Sequence, residues 1–482
     1  MKYLLYLVTL AFCTHATAQI KVTQGSNSQP FTLTKHPSFS SYSNATANYF
    51  ITSRTEHFEN INNMVVADKT GNIIAANDVR LNMGVFNNTY GVDKLIVTGN
   101  GPVVFVENHS KAALKNTFSV RSVDNNGTIS NTETVIGVID FLKMSNPGKW
   151  YVALSPDHKH IAVVAQSPHQ KNIPDQFTYY LLDENFKETG KGQFSFAGNT
   201  KEISVWDFLA SDKGDLYLLS EDYDQSYKLP MIYKYSINGQ PTIIPVLLPD
   251  PKLRNLSYTY KVNPDGDLII AGYTQKKQSF TAGDVQATGT YLFTTAKPAE
   301  PKIFAFEKPV TNMTAINIIF NGDTFYLIGE QFKEEKEQFK GNALSAAALD
   351  DVYNYQHNDV GVTGFSAAFV KKFDIFMSRK WVGHEYDQDL AIASGIMNNK
   401  LALIYNDEYG KYIDDKFRRY TKLPVAVLIT NDGLMETPVN FAKQLDVVVS
   451  TYTLYPQFFN NSDGKMVLIS GNMQSVKTVS FQ

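Results

Sequence analysis

The stretch Asn263-Pro264-Asp265-Gly266-Asp267-Leu268-Ile269-Ile270-Ala271-Gly272 joins a tight-turn signal directly to a short apolar strand. Asn, Asp and Gly tolerate the positive backbone torsions of tight turns, and the run that follows suits a buried strand. The pattern returns at Ser211-Asp212-Lys213-Gly214-Asp215-Leu216-Tyr217-Leu218-Leu219 and at Asn461-Ser462-Asp463-Gly464-Lys465-Met466-Val467-Leu468-Ile469. A recurring turn-and-strand unit names an architecture rather than an activity.

The first strand residue after each such turn serves as an anchor: Tyr49, Val103, Ile161, Leu216, Leu268, Phe325, Leu401 and Met466. Their spacings are 54, 58, 55, 52, 57, 76 and 65 residues. A second strand signal follows most anchors, as in Met64–Asp68, Phe118–Arg121, Tyr179–Asp183, Met231–Tyr235 and Val427–Ile429, often with its own Asx-Gly turn. Each unit therefore reads as four strands, A to D, in an antiparallel meander, with two-residue hairpins expected at the turns. Meanders repeating at this period are the signature of a β-propeller, because one such sheet cannot bury both faces alone. A pair of β-sandwich domains also uses regularly spaced short strands, but the near-constant spacing argues against it.

On these repeats nearly the whole chain resembles the β-propeller class, although it lacks a Gly-His to Trp-Asp pattern, and Trp206-Asp207 falls on a strand A. The implied fold class is all-β, a single propeller of four-stranded antiparallel blades, with eight blades favoured and seven the alternative. Val476–Phe481 reads as a strand C with no strand D after it. An N-terminal segment such as Phe31-Thr32-Leu33-Thr34 is expected to supply that outer strand and close the ring.

Residues 1–18 carry Lys2, an apolar run from Leu4 to Phe12, and Ala16-Thr17-Ala18, the pattern of a cleaved secretory signal. The propeller domain is then residues 19–482, exported to the periplasm or secreted. Cys13 is the lone cysteine, so the mature chain has no disulfide or thiolate metal site. A net charge of −3 gives no basic footprint for nucleic acid or anionic membrane, and no later apolar run is long enough for a membrane helix. A monomer is expected, with a protein, peptide or glycan partner.

In a meander blade the A-B and C-D turns share one face of the disc, and the B-C loops and D-A links share the other. The A-B turns are short and the B-C loops varied, so function is expected on the second face. The largest elaboration is a B-C insertion at residues 330–364 of the sixth unit, read as a loop with helix-forming Leu344–Leu349. It carries Asp350, Asp351, Tyr353, Tyr355, His357 and Asp359, and the following D-A link carries His384, Glu385, Tyr386 and Asp387. Asp222, Tyr223 and Asp224 of the fourth unit, and Tyr409 and Tyr412 of the seventh, add to the same face. Tyrosines among polar groups suit protein or glycan contacts. Carboxylates with imidazole suit acid and base chemistry or a divalent cation, so His384, Glu385, Asp387 and His357 are the catalytic candidates for a polysaccharide- or ester-cleaving alternative. No cofactor is implied, and no esterase elbow, zinc-protease helix or phosphate-binding loop is present. Ser122-Val123-Asp124-Asn125-Asn126-Gly127-Thr128 sits one residue off the Asp box of sialidase-like propellers and occurs once, so it reads as turn chemistry. His158 and His160 read as exposed residues of an A-B turn.

Overall fold

The computed structural model describes residues 22–24, 38–56, 59–79, 88–170, 173–195, 203–222, 230–236, 242–276, 285–336, 353–379, 381–383, 392–408, 422–440, 453–454, 460–462, 465–472 and 475–481. The chain is an all-β propeller. Seven sheets are each built from four consecutive antiparallel strands: residues 38–79, 88–140, 149–195, 203–245, 253–311, 313–377 and 393–440. The first seven anchors fall on strand B of these sheets. These are blades one to seven, so the complete meanders match the alternative count rather than the favoured eight. The eighth anchor, Met466, lies outside these seven sheets. Its strand Lys465–Asn472 pairs with Thr453–Leu454, Asn460–Ser462 and Ser475–Phe481, and Val22–Gln24 from the other end of the chain completes the sheet. Val22 pairs with Phe481 and Gln24 with Val479. The closing strand is thus Val22–Gln24 rather than Phe31–Thr34, which lie outside the described residues. This composite sheet stands between blades seven and one, where Asn460–Ser462 meets both Ala393–Met397 and Ser38–Ser43.

The turn at Asn263 shows why the motif recurs. Gly266 N donates to Asn263 O (2.9 Å), Asn263 N to Asp267 O (2.8 Å), and Asp267 N to Asn263 Oδ1 (2.7 Å), with Gly266 at φ 77°. The side-chain acceptor at the first position satisfies an N–H that the turn would otherwise leave free. The loop has three residues, not the two expected. Ser211, Asp68, Asp124, Asp183 and Thr430 open turns of the same form, with side-chain oxygens accepting from the fourth residue on. Asp124 Oδ1 accepts from Asn126 N (2.9 Å) and Thr128 N (2.8 Å) within its own turn. Two-residue hairpins do occur at Gly99-Asn100, Gly322-Asp323 and Asn398-Asn399, the last with both residues at positive φ.

Strand A carries a β-bulge in blades two, four, five and six. In blade five the bulge at Asn255–Ser257 lies opposite Tyr273 and Thr274, and the adjoining Gly272 pairs with Tyr258, where a Cβ would sit 2.2 Å from Ser257 O. Only glycine lets strand B approach so closely.

Blades bury their faces against one another. Phe105, Phe118 and Trp150 stack in sequence across the second seam, with centroids 5.4 and 4.8 Å apart, while Phe177, Phe194 and Tyr235 do the same across the third at 4.9 and 4.5 Å. Val360, Val362, Leu401, Leu403 and Val425 fill the seam of blades six and seven. Strand-B tyrosines then cross to the next blade's turns: Tyr217 Oη donates to Gly266 O (2.8 Å), Tyr326 to Asn431 Oδ1 (2.5 Å) and Tyr49 to Asn125 Oδ1 (3.4 Å).

Gly266→Ala forces a side chain into the left-handed region and is expected to lower stability by about 1–2 kcal/mol. Gly272→Ala meets backbone rather than a flexible side chain, and a larger loss is expected. Urea denaturation of both variants checks the order.

Candidate functional site

Blade six is taller than its neighbours. Its strand B runs Thr324–Lys336 and its strand C Tyr353–Ser366, paired from Thr324↔Ser366 to Lys336↔Tyr353. After strand D, Lys371–Met377, the chain steps aside at Ser378–Arg379 and pairs again along strand C as Trp381–Gly383, opposite His357, Gln356 and Tyr355. Much of the expected loop at 330–364 is therefore a three-stranded continuation of the blade on the B-C face. The helix-forming Leu344–Leu349 lie outside the described residues.

A buried polar cluster sits at the joint between the blade and this extension. A bulge between Glu330 and Phe332 sets Gln331 against Asn358 and Asp359. Arg379, 1% exposed, sends Nη1 to Glu330 Oε2 (3.0 Å) and Nε to the Asn406 carbonyl of blade seven (2.9 Å). Its backbone N lies 3.4 Å from Asp359 Oδ1, and its guanidinium stands 5.6 Å from the Tyr405 ring. His357 Nδ1 is 3.2 Å from Glu330 Oε2, outside hydrogen-bond geometry, and its ring packs on Phe332 with centroids 5.0 Å apart. Glu330, His357, Asn406 and Asp407 are all under 9% exposed. Burial lowers the Arg379 pKa, and Glu330, Asp407 and Tyr405 work against that shift. Burial first, then Asp407, pushes the Tyr405 hydroxyl up to about 12, with Arg379 opposing.

Of the residues singled out from sequence, the structure brings His357 and Asp359 into this cluster. Tyr353 and Tyr355 lie on the extension's strand C, and Asp222 ends strand Leu216–Asp222. Asp350, Asp351, His384, Glu385, Tyr386, Asp387, Tyr223, Asp224, Tyr409 and Tyr412 lie outside the described residues. The cluster's central cation, Arg379, was missed: nothing in Met377-Ser378-Arg379-Lys380-Trp381 marks the first of two adjacent cations as the buried one. Asp407 lies at the end of the apolar run Leu401–Tyr405, and only its place in that strand signalled burial. Among the described residues, no group of three or more His, Cys, Asp or Glu is arranged to hold a metal ion.

The opposite face is more structured than expected. His158 is half-buried at φ 62°, packs edge-on to Tyr42 of blade one at 5.4 Å, and burial lowers its pKa. His160 is likewise half-buried, 3.6 Å from Asp157. Neither is a freely exposed turn residue. Asp157 N donates to Asp212 Oδ1 across the third seam (2.9 Å).

No family model matches the chain, and no characterised protein matches it in sequence. Among solved structures it is similar to the WD40 domain of SCAP from fission yeast, with 9% identity and a TM-score of 0.40 over 97% of this chain and 96% of that one. It is also similar to prolyl oligopeptidase B from Galerina marginata, with 11% identity and a TM-score of 0.38 over 93% of this chain. The chain spans 55% of the length of that oligopeptidase. A third similarity is to the polysaccharide lyase Uly1, with 14% identity and a TM-score of 0.34 over 81% of this chain and 89% of that one. The class is β-propeller. Among the described residues, no helix is long and apolar enough to cross a membrane.

Two predictions follow from these clusters. Arg379→Met leaves Glu330 buried without its cation and is expected to cost about 3–5 kcal/mol, whereas pairing it with Glu330→Met recovers most of the loss. A double-mutant cycle in urea measures both. On the opposite face, burial raises the Asp212 pKa, and the Asp157 charge raises it further against the hydrogen bond from Asp157 N. A carboxyl with a raised folded pKa disfavours folding once ionised, so stability falls as pH rises through that pKa. Asp212→Asn keeps the acceptor oxygen and is expected to raise Tm at pH 7, with the gain vanishing below the carboxylate range. Thermal melts across pH 3 to 7 check the sign.

Proposed function

We propose that this chain is an exported β-propeller binding protein, which engages a protein, peptide or glycan of the envelope or extracellular space through its B-C face. The observation that carries the reading is the three-stranded extension of blade six, which rises on that face alone and is fixed at its base by Arg379, Glu330 and Asn406. A rigid arm presents a surface without the ordering cost of a flexible loop. The leader-like residues 1–18 support export, and the modest net charge supports a partner other than nucleic acid.

The alternative of a hydrolase or lyase used His357, His384, Glu385 and Asp387. Around His357 the geometry favours anchoring instead, because the nearest carboxylate, Glu330, is engaged by Arg379 in a closed seam.

Replacing residues 337–352 with a short Gly-Ser linker tests the arm. The ring is expected to keep its Tm to within about 2 °C, since the seams that hold the blades together are built from other residues. Capture of envelope partners, read by quantitative mass spectrometry against wild type, is expected to be lost. An unchanged partner set would remove the arm's role.

A further inference from the structure

A second feature of the B-C face lies far from blade six. Between blades two and three, the D-A link at residues 141–148 and the B-C loop that starts at Ser167 enclose a cleft of about 510 Å3. That volume falls within the range of small-molecule sites. Val138 and Leu142 give it an apolar rim, with Leu142 86% exposed, and Ser167 and Thr178 contribute hydroxyls. The loop that carries His169 is pinned to the link: Asn146 Nδ2 donates to His169 O (2.9 Å), and His169 N donates back to Asn146 Oδ1 (3.2 Å).

The imidazole of His169 is oriented by a chain of hydrogen bonds that begins at Tyr151, half-buried against the seam of blades three and four. Tyr151 Oη donates to Gln166 Oε1 (2.8 Å), and Gln166 Nε2 donates to Asp175 Oδ2 (3.2 Å). Asp175 Oδ1 lies 2.9 Å from His169 Nδ1. A carboxylate only accepts, so Nδ1 carries the proton, and in the neutral form of the ring Nε2 is the bare nitrogen and the acceptor. The Asp175 side chain is 15% exposed and that of His169 58%. Four side chains thus hold one exposed acceptor in a fixed direction beside an apolar ledge. The propeller ring has no evident use for that arrangement, because exposed ion pairs contribute little stability.

We propose that this cleft is a carbohydrate subsite, in which His169 Nε2 accepts a hydrogen bond from a sugar hydroxyl while the ring's C–H face lies on Val138 and Leu142. Asp140 and Lys143 bring opposite charges to the rim, which favours a neutral sugar over an anionic or cationic one. Asp175, Gln166 and Tyr151 are positioning residues. The subsite does not depend on the blade-six arm.

Isothermal titration of the full mature chain with cellotetraose, xylotetraose, mannotetraose and chitotetraose, in parallel with an extended apolar tetrapeptide, tests it. Saturable binding of at least one sugar is expected. His169→Ala and Asp175→Ala are each expected to weaken it about tenfold, the worth of one well-made hydrogen bond. His169→Gln, which keeps an acceptor, is expected to recover part of the loss, and Leu142→Ala to weaken binding without touching the relay. Unchanged melting temperatures separate a ligand role from a structural one. No binding of any of the four sugars at about ten times a millimolar Kd, equal affinity in His169→Ala, or binding of the peptide alone would overturn the proposal.

Discussion

Each blade can cover its two faces only with its two neighbours, and the rest of the structure depends on that constraint. A four-stranded meander alone is a poor fold. Here the seams are filled by stacked aromatics and branched aliphatics such as Phe118, Trp150, Val362 and Leu403, all buried. At about 1.5–3 kcal/mol per fully buried large side chain, each seam outweighs the polar links that cross it, which contribute about 1 kcal/mol each. Those links do a different job. Tyr49, Tyr217 and Tyr326 each reach from strand B to a turn of the next blade, and a blade slipped by one residue would send that hydroxyl into the wrong face. Packing supplies the attraction, and the tyrosines fix the register.

The turns and bulges serve the same end. In the three-residue hairpins a side-chain oxygen at the first turn position and a left-handed residue at the fourth close the turn and give the N–H of the residue after it an acceptor. Beside the central axis the A strands are crowded, and the bulges at Asn255–Ser257 and Ala315–Asn317 relieve this by bending strand A. Gly272 and Gly329 answer those bulges on strand B. The stretch from Asn263 to Gly272 therefore carries both devices of its blade, the turn at its head and the close approach at its tail.

These features were legible because they act locally. Asn263 and Gly266 are neighbours in sequence, and so are the apolar residues that follow. The ring's closure was legible only in outline: an unpaired strand at the C-terminus implies a partner, but hydrogen bonding between backbones leaves no mark on which segment supplies it, and Val22–Gln24 does so. The blade-six arm was read as a loop for a related reason. Strand signals come from burial, and at the start of the arm Gln331, Phe332 and Lys333 are only half-buried and Glu334 is exposed. Phe332-Lys333-Glu334-Glu335-Lys336 is thus charged where strand B of the ring is apolar, though its backbone pairs without a break beyond the bulge. Arg379 and Asp407 were hidden because their significance exists only across the seam between blades six and seven.

That seam bears on why the B-C face carries the elaborations. A buried Arg–carboxylate cluster is a poor source of stability, since apolar residues of equal volume would do as well or better. What it supplies is direction: Arg379 reaches Glu330 on strand B and Asn406 on the next blade at once, so the arm cannot pivot without stranding a charge. Blade three uses the same logic on a smaller scale, where Gln166 and Asp175 hold an imidazole and Asn146 holds its loop. Both sites use polar groups, buried at Arg379 and half-buried at Asp175, to aim something outward, and both lie on the face away from the Asn263 turn. On the turn face, polar groups such as Asn263, Ser211 and Asp183 are consumed in closing their own hairpins. Among the described residues, the hydrogen bonds of Asn263, Ser211 and Asp183 close their own turns, whereas those of Arg379 and Asp175 end on the base of an arm and on an exposed imidazole.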